Sequence, residues 1–163
     1  MIDFLKYFLR RIRFKHPIKL YWQEIDFAYI KTYSGFRGKN INYRKVNGLT
    51  QLGEKLISLT GEMHETTKEI AIIPKKDKRL KKLKSIFCKA KDSRLAHKCG
   101  PIYRDAIVFY SETDEIVGTL HICFSCGHLV DEQNNRYHPD RHFYDKLKQF
   151  LMGLGHPINE DSI

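Results

Sequence analysis

Two runs of β-forming residues, 104–111 (RDAIVFYS) and 116–124 (IVGTLHICF), stand only four residues apart. That spacing constrains the fold more than any other feature of the chain. The residues between them, Glu112, Thr113, Asp114 and Glu115, have the length and chemistry of a hairpin loop. With the turn centred between Thr113 and Asp114, the numbers of facing residues add to about 227 in an antiparallel ladder. Ile107, Phe109, Leu120 and Ile122 then belong to the core. A hairpin with so few charges cannot stand alone in water, so the rest of the chain has to cover it.

The material for covering it is mixed. Ile2, Leu5, Phe8, Leu9 and Ile12 recur at helical spacing and predict a helix over 2–14, closed by Pro17. Residues 18–33 are rich in Tyr, Trp, Phe and Ile and read as one or two strands. Gly35, Gly38 and Asn40 mark a loop. Residues 49–60 fit helix and strand equally. Residues 69–73 make a short strand stopped by Pro74. Leu80, Leu83 and Phe87 form one stripe of a helix over 75–89. Phe143, Leu147, Phe150, Leu151 and Leu154 form the apolar face of a helix over 139–152, with Pro139 in its first turn and Gly153 and Gly155 ending it.

The expected fold is therefore α+β. A single domain over 1–163 carries an antiparallel sheet with a central hairpin (about 104–111 and 116–124), packed with helices that include an N-terminal and a C-terminal one. At 163 residues the chain can bury roughly two-thirds of its unfolded surface without disulfide or metal. No segment reaches the ~18 apolar residues of a membrane span, and residues 1–14 lack the layout of a secretory signal. Four cysteines then point to reduced thiols and a cytoplasmic setting. A surface-anchor role for helix 2–14 fits less well than a packed helix, given Asp3 and the aromatic residues around it.

Net charge is +10, unevenly spread: +8 over 1–45, +7 over 46–98 and −5 over 99–163. Seven of the ten residues 75–84 are Lys or Arg. Lys75, Lys78, Arg79, Lys81 and Lys82 are the candidate partner-binding residues, and the implied partner is an acidic protein or a nucleic acid. For nucleic acid, the aromatic-basic stretch 19–44 could add stacking. The bland alternatives are a solvated lysine face, or a basic part on which the acidic 99–163 docks internally.

Chemistry-bearing motifs are few. The hairpin register sets Cys99 across from His128, close to Cys126, and Cys123 opposite Arg104. Cys123-Phe-Ser-Cys126-Gly has the form of a zinc knuckle. Cys99, Cys123, Cys126 and His128 are therefore a candidate zinc set, with His97 and Cys88 as other possible fourth ligands. Cysteines buried for packing are the competing reading. Cys123-x2-Cys126-x11-His138-x3-His142 approaches a zinc-finger spacing, but Pro139 keeps His138 out of the helix. No catalytic residue is assigned, because serine-hydrolase order, phosphate-binding glycine loops and His-Glu-x-x-His are all missing.

The segments CGPIYRDAIVFY (99–110), LHICFSC (120–126), YDKLKQFL (144–151) and LGH (154–156) resemble a group of small uncharacterised bacterial proteins. That group has a cysteine, a strand ending IVFY, a second strand ending ICFxC and a closing helix. The resemblance covers about 80–158 and implies a fold unit and a cytoplasmic address, with no activity attached. The functional expectation is a non-enzymatic binding protein acting through protein–protein contact, accessory or toxin-neutralising. The alternative is a nucleic-acid-binding protein using the basic helix, with or without a structural zinc.

Overall fold

The computed structural model describes residues 17–35, 55–93 and 100–158. The helix expected over 2–14, together with Gly38, Asn40, 49–54, His97 and Cys99, lies outside them. The described chain forms three helices and six strands: α1 (Pro17–Glu24), β1 (Tyr29–Ser34), β2 (Lys68–Pro74), α2 (Lys78–Cys88), β3 (Asp105–Tyr110), β4 (Ile116–Cys123), β5 (His128–Asp131), β6 (Arg136–Tyr137) and α3 (Arg141–Gly153). The strands make one sheet in the order β2-β1-β3-β4-β5-β6, antiparallel at each junction. This is the α+β, single-sheet architecture expected from the sequence.

The hairpin is β3–β4. Its pairs Asp105↔Ile122, Ala106↔His121, Ile107↔Leu120, Val108↔Thr119 and Phe109↔Gly118 each add to 227, and a bulge then shifts the register to Tyr110↔Ile116. At the tip Asp114 takes a left-handed backbone (φ 61°), a conformation that Asp tolerates better than most residues. Ser111 Oγ accepts from the amides of Thr113 and Glu115, which closes the turn. The Tyr29 hydroxyl donates to Asp114 Oδ1 (2.8 Å) and ties the tip to β1.

Residues 18–24 correct the strand expectation, because they are helical. Pro17 supplies the fixed φ favoured at a helix start. Ile18, Tyr21, Trp22 and Ile25 fall at helical spacing, and all four pack into the main core. That periodicity outweighs the β preference of the aromatic side chains. Residues 55–60 form neither helix nor regular strand, only an isolated bridge from Ile57 to Met63. The basic helix starts at Lys78, since the Asp77 side chain caps it by accepting from the Arg79 amide (2.8 Å). Pro139 is not in the first turn of α3. Asp140 is the N-cap, accepting from the Phe143 amide, and Pro139 bridges to Asp92 instead. The strands β5 and β6 had no sequence expectation behind them.

Phe109 sits at the centre of the main core, between the sheet and the helices. Its ring meets Phe27 at 5.1 Å, Trp22 at 5.7 Å and Tyr21 at 5.9 Å, all edge-to-face. Trp22 and Phe143 continue the cluster through Phe87. Gly118, opposite Phe109, is covered by α1 and the residue after it: a Cβ there would lie 2.4 Å from Ile25 Cδ1 and 2.5 Å from the Tyr21 hydroxyl. The other face of the sheet carries a smaller cluster of Tyr33, Ala106, Val108 and Tyr110 under Leu56 and Ile57. Residues 55–67 thus act as a strap on that face.

Phe109→Ala should lower stability by about 3–5 kcal/mol, read from the urea midpoint at unchanged slope. Gly118→Ala should destabilise less, by about 1 kcal/mol, because the added methyl meets the ends of the Ile25 and Tyr21 side chains, which must shift. A loss at Gly118 as large as that of Phe109→Ala would mean that the helix itself has to move.

Candidate functional site

The lysine-rich helix α2 keeps its apolar stripe inward. Leu80, Leu83 and Phe87 are buried, whereas Lys75, Lys78, Arg79, Lys81 and Lys82 are all exposed. At 100° per residue, Lys78, Lys82, Ser85 and Lys89 lie opposite that stripe, with Lys81 on one flank. Two of the five expected contact residues are already engaged. Lys75 pairs with Asp26 (3.2 Å), and Arg79 forks onto Asp77 (2.6 Å). That fork draws the Asp77 carboxyl below its ordinary range and lifts the guanidinium. Lys78, Lys81 and Lys82 have no carboxylate partner among the described residues.

This arrangement works against the helix. No acidic residue lies within α2. Like charges at i,i+3 and i,i+4 each cost roughly 0.2–0.5 kcal/mol, and cations in the first turn oppose the helix dipole. Folding does not require it, since the buried stripe is complete without a single lysine head group.

The cysteine group is brought together only in part. Cys123 and His128 are cross-strand partners at the end of β4 and β5. Cys123 is buried and its thiol is free, with Sγ accepting from the Ile102 amide (3.4 Å) and near Ser125 Oγ (3.2 Å). Cys126, in the turn beyond, is disulfide-bonded and so offers no thiolate in this state. This differs from the expectation of reduced thiols throughout. Cys99 lies outside the described residues. Among those described, no three His, Cys, Asp or Glu side chains are grouped to hold a metal ion. Cys88, on α2, is a free thiol, half-buried. His138 precedes α3, and His142 is exposed on it.

Two buried polar groups had no sequence signal. His156, just after α3, reaches back to the sheet: Nδ1 meets Asp105 Oδ1 at 2.6 Å and Nε2 meets Thr32 Oγ1 at 2.9 Å. Hydroxyl, imidazole and carboxylate follow the order of a charge-relay triad. Yet Thr32 and the His156 side chain are 0% exposed and the Asp105 side chain 1%, so the hydroxyl faces packed protein. The three groups act as a clamp holding the segment after α3 on β1 and β3.

His121, on the strap side of β4, is also 0% exposed, and its Nε2 accepts from the Ile57 amide (3.3 Å). Burial first, then the nearby Lys55 charge, push its imidazole down to about 3. Lys55 donates to the carbonyls of Asp131 (2.7 Å) and Glu132 (2.9 Å), so the strap is fixed to the sheet at both residues.

No helix among the described residues is long and apolar enough to cross a membrane. Comparison with family models, with curated proteins and with solved structures finds no match to this chain.

Removing the clamp should cost stability. His156→Ala leaves the Asp105 carboxylate buried without its closest partner, at about 2 kcal/mol or more by chemical denaturation. The His121 imidazole is held neutral in the fold but protonates near 6.5 when unfolded. Its contribution is therefore complete above about pH 6.5 and lost as pH falls towards 3, by up to about 1.4 kcal/mol per pH unit. His121→Gln should flatten that slope in denaturation curves taken between those limits. An unchanged slope would show that other groups carry the acid sensitivity.

Proposed function

We propose that this chain is a non-enzymatic binding protein that engages an acidic protein surface through the outer face of α2. The observation behind this reading is the run of exposed lysines, Lys78, Lys81 and Lys82, without carboxylate partners among the described residues, on a helix whose own electrostatics they weaken. Such a face promotes fast, salt-sensitive association with carboxylates. Lysine heads on flexible stems suit an irregular acidic surface better than the planar, bidentate recognition that arginine performs. An accessory or neutralising role, in which the protein occupies an acidic patch on its partner, is the corresponding biological reading.

The geometry favours protein over nucleic acid on one point. Of the aromatic residues in the stretch 19–44 that would stack bases, Trp22, Phe27 and Tyr33 are buried in the two cores, Tyr21 and Tyr29 are half-buried, and Phe36 and Tyr43 lie outside the described residues. Among the described residues no exposed aromatic ring stands beside the ammonium groups of α2, and stacking is a large part of single-strand binding.

The test is affinity capture from native cells at low salt, with and without nuclease, followed by a salt gradient. A dominant acidic protein should survive nuclease. The triple variant Lys78→Glu, Lys81→Glu, Lys82→Glu should weaken its capture by roughly tenfold or more and flatten the salt dependence. Loss of all partners on nuclease treatment would favour the nucleic-acid reading. Capture that ignores the charge reversal would remove α2 as the contact.

A further inference from the structure

The strap side of β4 holds two buried polar atoms that the fold leaves unanswered. Thr119 and His121 are two residues apart on one strand, so their side chains leave the sheet on the same face. Their ladder partners on β3, Val108 and Ala106, belong to the cluster under Leu56 and Ile57. Thr119 is 1% exposed and His121 0%. Among the described residues, Thr119 Oγ1 and His121 Nδ1 both lack a hydrogen-bond partner.

The tautomer of His121 follows from its other nitrogen. The Ile57 amide donates to Nε2, so Nε2 must present its lone pair. The imidazole proton then sits on Nδ1, as a buried donor with no acceptor. Such a group costs roughly 1–3 kcal/mol when left unpaired, and a buried hydroxyl adds to that. Most native proteins answer such groups, either with protein or with ordered water.

We infer that one buried water molecule binds between Thr119 Oγ1 and His121 Nδ1, beneath the strap residues Leu56 and Ile57. Its oxygen accepts the Nδ1 proton, and it exchanges a second hydrogen bond with the Thr119 hydroxyl. Both atoms leave the same strand on the same face two residues apart, and a water reaches about 2.8 Å to each of its partners. Chemistry selects water over an ion. A cation would meet the Nδ1 proton directly, and a buried anion needs a paired charge. The nearest cation, Lys55, is already taken up by the carbonyls of Asp131 and Glu132. A chain of this size ordinarily holds several such waters, about one per 27 residues. The bound water fixes the tautomer that lets Nε2 accept from Ile57, and so holds the strap on the sheet.

The experiment is a high-resolution crystal structure of the wild-type chain and of Thr119→Val, with thermal melts of both. The wild type should show a density peak within hydrogen-bond distance of both atoms. Thr119→Val, which keeps the shape and removes the hydroxyl, should lose it and melt roughly 2–4 °C lower. If the valine variant fails to fold, Thr119→Ser should keep both the peak and the hydroxyl bond. Absence of the peak in the wild type overturns the inference. So does a valine variant that melts at the same or a higher temperature, because removing a hydroxyl that truly has no partner stabilises.

Discussion

Every residue of β3 is buried, from Asp105 to Tyr110. An antiparallel strand usually has one face on the core and one in water. Here both faces must be covered, and the rest of the molecule is arranged to do it. Phe109 and Ile107 turn towards α1, α2 and α3, and Ala106, Val108 and Tyr110 turn towards the strap. The two covers differ in kind. The helices bring an aromatic cluster worth several kcal/mol of burial, whereas the strap is attached by a few polar contacts through Lys55, Ile57 and His121.

That asymmetry explains where the polar groups lie. On the helix side, two buried polar networks lie at the sheet: Thr32, Asp105 and His156 close one end, where the segment after α3 folds back, and Asp131 accepts from the Tyr137 hydroxyl and Asn135 near the other edge. On the strap side, irregular backbone must find partners, since residues 55–60 make no regular ladder. His121 serves as acceptor for one such amide. A neutral imidazole does this better than a charged group, which would need a counter-ion in the same space.

The lysines of α2 stand apart from this economy. They contribute nothing to the buried stripe and oppose the helix that carries them. Stability alone would have favoured glutamates at the N-terminal turn and alternating charge along the outer face. A surface that departs from its own best electrostatics is the place where binding to something outside the chain is most economically sought.

The sequence by itself determined what depends on near neighbours. The hairpin, its turn and its register of 227 follow from two apolar runs and a four-residue loop. The stripes Leu80-Leu83-Phe87 and Phe143-Leu147-Phe150-Leu151 follow from the 3.6-residue period. The same period was present in Ile18, Tyr21, Trp22 and Ile25, but there it was masked by residues with strong β preference. The lysine face was equally legible, because exposure is what a helix does with residues off its apolar stripe. Only the tertiary structure decided the rest. Thr32, Asp105 and His156 come from three separate parts of the chain, and so do Lys55, His121 and Glu132. A hydrogen bond between residues so far apart leaves no spacing to read. It forms only once the sheet has set the strands side by side, and the cost of leaving such groups unpaired then selects which of them meet.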